Sequence, residues 1–109
     1  MSLKNVSYRE DNLINYINHN ESKNFLSIII TFNHDINKNI NLTLKNNTGP
    51  GVIVYKIDPE CRAYYFGLRR NDIILFVNNI SCYNHKQTID IFDNSQLSRS
   101  NIHCKILRK

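Results

Sequence analysis

Histidine is the side chain best suited to chemistry near neutral pH, and of the four histidines in this sequence His85 has the most informative neighbours. His85, Ile89 and Phe92 are spaced i, i+4 and i+7, which places them on one stripe of a helix. A neutral imidazole there can donate or accept a hydrogen bond. A lone histidine at a helix start is more often a solvent-facing neighbour of the cap, so its role depends on what faces this stripe.

No spacing in the sequence predicts catalysis or a metal site. Ser, His and Asp are all present, but there is no Gly-x-Ser-x-Gly elbow and no triad order. Cys61, Cys82 and Cys104 are an odd number without paired spacing, so we expect reduced thiols rather than disulfides or a zinc ribbon. A metal site built from His34, His103 and Cys104 has no supporting motif. We therefore expect no enzyme, no cofactor and no metal.

Hydrophobic periodicity predicts the elements that would position these residues. Asn84 is a candidate N-cap, and Gln87 can return a hydrogen bond to the backbone, which predicts a helix ending at 93–95. A one- or two-turn helix is predicted over 60–66. Apolar residues that alternate or form short β-branched runs predict strands at 25–33, 40–45, 52–54, 73–77 and 102–107, with 80–83 as a further short run.

Length and composition indicate one domain with a modest core. The chain has 109 residues, of which 41% are hydrophobic, and no run is long enough to span a bilayer. Its polar start lacks the apolar region of a signal peptide, so we expect a cytoplasmic protein. Heavy use of Asn, Ile and Lys suggests an A+T-rich coding genome, such as that of some parasites and large DNA viruses, for which the location would be a host cytoplasm.

The formal charge of +5 raises nucleic acid and anionic membrane as partners. The cations are dispersed, however, with local clusters only at Arg69-Arg70 and at Lys105, Arg108 and Lys109. Neither cluster is interleaved with aromatic residues as a stacking platform would be. A solvated basic surface is the better explanation, and no nucleic acid is expected. Binding of phosphoinositide membrane or nucleic acid remains the alternative, as does a weak preference for acidic partners.

Residues 1–24 form a polar, Asn-rich extension with one apolar knot. Val6, Leu13, Tyr16 and Ile17 could form one side of a short helix, which would need a surface to pack on. Two interpretations stay open: a frayed extension, or an appended helix that docks on the domain or on a second copy as a homodimer.

The central stretch, 51–79, carries a specific resemblance. Gly67-Leu68-Arg69-Arg70-Asn71-Asp72 lies between the apolar runs 52–54 and 73–77, with Leu68 expected in the core and Arg69 and Arg70 expected in water. The order resembles the centre of a PDZ domain, whose pattern is Gly-Leu-x-x-Gly-Asp-x-Ile-x-x-Val-Asn-Gly. Asn71 and Asn79 stand at two positions where the family pattern has glycine. Asn is the non-glycine residue that best tolerates the left-handed conformation, so we expect the turns to be kept.

The resemblance covers 25–109 and implies an α+β fold. That fold is a PDZ-like partly open β-barrel or sandwich of five to six mostly antiparallel strands, capped by two helices. It also implies that a partner's free C-terminus adds as an antiparallel strand between the second strand and the second helix. The carboxylate loop would be Asn39-Ile40-Asn41-Leu42, whose backbone N–H groups could cradle the carboxylate. Asn39 and Asn41 replace glycines and crowd that anion; Lys38, rather than His34, is the candidate to reach it through water.

The resemblance also implies how the ligand would be read. Ile40, Leu42 and Leu44 would face Ile89 and Phe92 around the last side chain of the ligand, although these five residues could equally be ordinary core. His85 matches the class I histidine, which hydrogen-bonds a Ser or Thr two places before the terminus. Lysines beside the groove would favour acidic residues upstream. The implied peptide-binding residues are Lys38, Asn39, Ile40, Asn41, Leu42, Thr43, Leu44, Lys45, His85, Lys86, Ile89 and Phe92.

These observations together predict a stand-alone class I-like PDZ module that binds the C-terminal tails of other proteins ending in Ser/Thr-x-apolar. A scaffold that dimerises through 1–24 and carries two such grooves is a further hypothesis.

Overall fold

The computed structural model describes residues 25–33, 41–97 and 101–109. The predicted helix and dimer contact of 1–24 lie outside these residues, and the division into 1–24 and 25–109 stays a prediction. The described elements are β1 (Leu26–Phe32), β2 (Leu42–Asn46), β3 (Val52–Ile57), α1 (Arg62–Tyr65), β4 (Ile73–Val77), β5 (Ile80–Ser81), α2 (His85–Leu97) and β6 (Ile102–Arg108). Six strands and two helices in this order confirm the predicted α+β class.

The six strands form one antiparallel sheet. Its order is β1-β6-β4-β3-β2, and β5 pairs with β4. Thr31 lies opposite His103, and Val52 lies opposite Ile74. The register between β2 and β3 shifts between Thr43 and Leu44. Among the described residues, β1 and β2 are therefore the two edges of the sheet.

The inner face of the sheet forms the main core with α2. Leu68, Ile74 and Phe92 have no exposed surface, so Leu68 fills the core as predicted. Burying a side chain of this size stabilises the fold by about 1.5–3 kcal/mol. Leu75 and Leu107 form a smaller cluster on the opposite face. The sheet is thus apolar on both faces, with the helix on one of them.

Burial increases along β1. Leu26 is 62% exposed, whereas Ile30 and Phe32 are buried. Leu26 is exposed because it stands at the first position of the strand, opposite Arg108, where the core has ended. Ile29, which interrupts the alternation, is exposed on the other face.

The helix α2 begins as predicted and ends later than predicted. Asn84 Oδ1 accepts from the backbone N–H of Gln87 at 2.8 Å, which confirms the cap. Gln87 Oε1 accepts from the N–H of Tyr83, one residue before the expected partner, at 3.1 Å. The predicted end at 93–95 is wrong, since the helix continues through Leu97. Asn78 Nδ2 donates to Ser95 Oγ, within the last turn, at 2.9 Å.

Asparagines occupy the left-handed turns. Asn71 has φ 72°, and Asn78 and Asn79 have φ 51° and 64°. Positive φ at two consecutive residues makes the type I′ turn that joins β4 to β5. The prediction that Asn keeps the turns of the two missing glycines is confirmed. Within the described residues no helix is long and apolar enough to cross a membrane.

An ion pair between Asp72 and Arg108 links the last strand to the turn before β4. Asp72 is 2% exposed, and its Oδ2 accepts from Arg108 Nη2 at 2.7 Å and from the N–H of Arg69 at 2.8 Å. Arg108 Nη2 also donates to the Gly67 carbonyl at 2.6 Å. The Asp72 carboxylate raises the pKa of Arg108, so this guanidinium is charged at any pH the fold meets. Four groups from two parts of the chain, the turn at 67–72 and Arg108, therefore satisfy one another.

Arg69 does not point to water. Its Nη1 donates to the carbonyls of Tyr64 at 2.6 Å and Leu68 at 2.9 Å, and its guanidinium lies 3.7 Å from the centroid of the Tyr64 ring. The prediction is wrong for Arg69, because the end of α1 presents carbonyls and a ring face to it. Arg70 is exposed, as predicted.

Candidate binding groove

The open edge of β2 presents backbone groups for another strand. Among the described residues, β2 pairs with β3 and with no other strand. The Asn41 carbonyl accepts from the N–H of Asp58 at 3.0 Å, so it faces β3. In a trans peptide the next N–H points the opposite way, so the N–H of Leu42 faces the open edge. Such an edge is a template for strand addition.

The start of α2 lies at the far end of this edge. Asn46, the last residue of β2, accepts through Oδ1 from the backbone N–H of His85 at 2.7 Å. The same oxygen lies 3.0 Å from Nδ1 of the His85 ring. His85 is half-buried at the first position of α2. One amide thus fixes the distance between strand and helix and holds the imidazole beside the groove.

The predicted apolar residues of the groove belong to or pack against one core, but they differ in how exposed their side chains are. Leu44 and Phe92 belong to the buried core, and Phe92 has no exposed surface. Leu42 and Ile89 are half-buried and pack against that core. The accessible apolar surface therefore comes from Leu42 and Ile89, while Leu44 and Phe92 support it from behind. Ile40, the fifth member, lies outside the described residues.

The predicted flanking residues are exposed. Thr43, Lys45 and Lys86 all face solvent. Lys45 Nζ lies 3.6 Å from the centroid of the Tyr55 ring on the neighbouring strand. This cation–π contact holds the ammonium group over the surface beside β2. Tyr55 had no signal in the sequence, since its contact depends on the register of β2 with β3.

The carboxylate loop is described only at its end. Lys38, Asn39 and Ile40 lie outside the described residues, as does His34. Asn41 has φ 56°, the left-handed conformation that favours glycine, and its side chain is exposed. The roles of these residues toward a carboxylate stay predictions.

The buried thiols are not arranged for covalent chemistry. Burial raises the pKa of Cys82 to about 11, although hydrogen bonding with the Thr88 side chain opposes the shift. Burial also raises the pKa of Cys104. Since the thiolate is the nucleophile, both groups are unreactive near neutral pH. Within the described ranges, no three His, Cys, Asp or Glu side chains are grouped as metal ligands would be.

The basic clusters have partners within the chain. Arg69 is held by α1, and Arg108 is paired with Asp72. Lys105 Nζ lies 5.5 Å from the Phe76 ring and Lys109 Nζ lies 5.8 Å from the Phe25 ring. A polyanion would have to compete with these contacts.

Solved structures share this architecture. The PDZ1 domain of dmPar3, in complex with the dmPar6 PBM, superposes with a TM-score of 0.64 at 22% identity, covering 75% of this chain and 94% of that one. The fold is PDZ-like. The PDZ domain of choanoflagellate SHANK1, bound to a GIRK3 peptide, gives a TM-score of 0.65 at 20% identity over 78% of this chain and 94% of that one.

A third PDZ domain, that of mouse Rhophilin-2, gives a TM-score of 0.63 at 19% identity over 75% of this chain and 71% of that one. Identities this low relate the folds and not the ligands. A scan against protein-family models finds no match, and neither does a search of curated proteins.

Asn46 is the residue of this groove that sequence reasoning missed. It falls in a polar run that predicts only a turn, and its contact with His85 spans 39 positions. The sequence offers only a general indication of this contact, since Asn side chains often accept from the free N–H groups of a helix start.

Proposed function

We propose that the chain is a non-catalytic interaction module that binds the free C-terminus of partner proteins in the groove between β2 and α2. The ligand would add to the β2 edge as an antiparallel strand. The observation that carries this proposal is the open edge, with the Leu42 N–H directed away from β3 and His85 tied to the strand's far end. Two solved domains of this fold hold a bound partner segment, which is our reason for proposing a peptide rather than another class of ligand.

The ligand we propose ends in Ser/Thr-x-apolar. Its last side chain would contact Leu42 and Ile89, and its terminal carboxylate would meet the N–H groups of 40–42. The Ser or Thr hydroxyl, two places before the terminus, would hydrogen-bond His85. Lys45 and Lys86 would favour acidic residues further upstream. Such tails would be met in the cytoplasm, including that of a host cell, and residues 1–24 could pair two modules.

The proposal is tested with a labelled nonapeptide ending in Thr-x-Val. We expect a Kd in the micromolar range, about −6 to −8 kcal/mol, because few ligand residues are held. His85→Ala should weaken binding about five- to tenfold, the value of one hydrogen bond, and should barely affect a peptide with Val in place of Thr. His103→Ala is the matched control, because His103 is exposed on β6 and bonds Thr31 instead.

Amidation of the peptide's terminus should nearly abolish binding. Equal affinity for the amidated peptide, or equal losses with Thr and Val peptides in His85→Ala, would overturn the proposal. The basic-surface alternative predicts a different salt response, since release of counterions from a polyanion makes binding fall steeply with salt. Capture of a peptide should change only modestly between low and physiological salt.

A further inference from the structure

Asn46 Oδ1 accepts from two N–H groups of the same residue. The backbone N–H of His85 lies 2.7 Å away and the ring Nδ1 lies 3.0 Å away. A carbonyl oxygen has two lone pairs, so it can accept both hydrogen bonds at once. Within the described residues, no partner reaches Nε2, the other ring nitrogen.

The backbone contact decides which atom carries the ring proton. A main-chain N–H can only donate, so the side-chain atom that faces it is the oxygen of Asn46 and not the nitrogen. Because this oxygen has no proton to give, Nδ1 of His85 must be the donor. The neutral imidazole has one N–H, so Nε2 keeps a free lone pair and is an acceptor.

We propose that Asn46 is a specificity-determining positioning residue that holds His85 in the Nδ1–H tautomer. This inference rests on the proposed function. A groove with Nε2 as acceptor selects a ligand group that can donate, which a Ser or Thr hydroxyl does. A carboxylate at the same place has no proton near neutral pH and would meet a lone pair. Without Asn46 the imidazole can take the other tautomer and donate to either group.

The tautomer is measured first in the protein without peptide. At about pH 8 the ¹⁵N shifts of the His85 ring should report the Nδ1–H form. His85→Ala identifies the resonances. Asn46→Ala should shift the ring toward the Nε2–H form, and Asn46→Asp, which keeps an oxygen, should restore Nδ1–H. The control Asn47→Ala should change nothing, because Asn47 bonds the Pro50 carbonyl.

An Nε2–H ring in the wild type, or no change in Asn46→Ala, would overturn the inference whether or not any peptide binds. Failure of the wild type to bind peptides would instead count against the proposed function.

Selectivity is measured second, with peptides carrying Thr, Val or Asp two places before the terminus. The wild type should prefer Thr to Asp at least tenfold. Asn46→Ala should reduce that ratio about fivefold, mostly through tighter binding of the Asp peptide relative to the others. If Asn46 only caps α2, all three peptides should weaken by the same factor, and that outcome would overturn the proposal.

Discussion

Two clusters of hydrogen-bonded polar groups join distant parts of the chain. They differ in whether a polar group remains available to bind a ligand. In the first, the Asp72 carboxylate accepts from Arg108 and from the N–H of Arg69, and it is almost wholly buried. In the second, Asn46 accepts from the backbone and the ring of His85, which is half-buried. The first cluster is closed, because its acceptors and donors satisfy one another.

The second cluster is open, because His85 retains a ring nitrogen at the edge of the sheet. A buried charge without its partner is costly, whereas a half-exposed imidazole can be solvated or bind a ligand. The closed cluster is therefore expected to support stability, and the open one fits the recognition that we propose for the groove.

The largest effect is expected from opening the closed cluster. Arg108→Met keeps the apolar stem but leaves Asp72 buried without its ion pair, which should cost about 3 kcal/mol and lower Tm by on the order of 15 °C. Urea unfolding measures the loss. Arg70→Met is the matched control, since Arg70 is exposed, and it should stay within about 0.5 kcal/mol. Equal losses in the two variants would contradict a special role for Asp72.

A smaller effect is expected at the turn between β4 and β5. Asn78 and Asn79 both have positive φ, but Asn78 alone of the two bonds across the fold, to Ser95 Oγ and to the N–H of His103. Glycine keeps the turn, so Asn78→Gly removes these bonds alone and should cost about 1–2 kcal/mol. Asn79→Gly should stay within about 0.5 kcal/mol. Denaturant unfolding of both variants measures the loss of stability. Similar losses in the two would mean that the effect comes from the backbone of the turn and not from the hydrogen bonds of Asn78.

Local patterns in the sequence predict the elements because they depend on neighbours in the chain. The alternation of β6, the N-cap at Asn84 and the left-handed Asn71 each follow from a few adjacent residues. The PDZ-like order of strands could be predicted from one stretch of turn residues, since Asn does there what Gly does in the family pattern.

The polar clusters could not be predicted in this way. The contact of Asp72 with Arg108 spans 36 positions and that of Asn46 with His85 spans 39. Nothing in the local sequence distinguishes Arg108 from a solvated cation. The expectation that Arg69 faces water failed for a different reason, since its partners are the nearby carbonyls of Tyr64 and Leu68 at the end of α1, which depend on how the chain turns there. Contacts that join strand ends depend on the register of the whole sheet, so they emerge only with the fold.

The smallest effect distinguishes two asparagines with the same backbone conformation. Asn41 has φ 56° at the entrance to β2, and Asn71 has φ 72° in the turn before β4. Glycine suits both positions, so neither Asn41→Gly nor Asn71→Gly should change stability by more than a few tenths of a kcal/mol. If Asn41 crowds a bound carboxylate, Asn41→Gly should tighten peptide binding about threefold, roughly 0.7 kcal/mol, while Asn71→Gly leaves it unchanged. Peptide titration measures both, with the amidated peptide as the reference that should gain nothing. A gain shared by both variants would mean that the effect comes from the backbone and not from the groove.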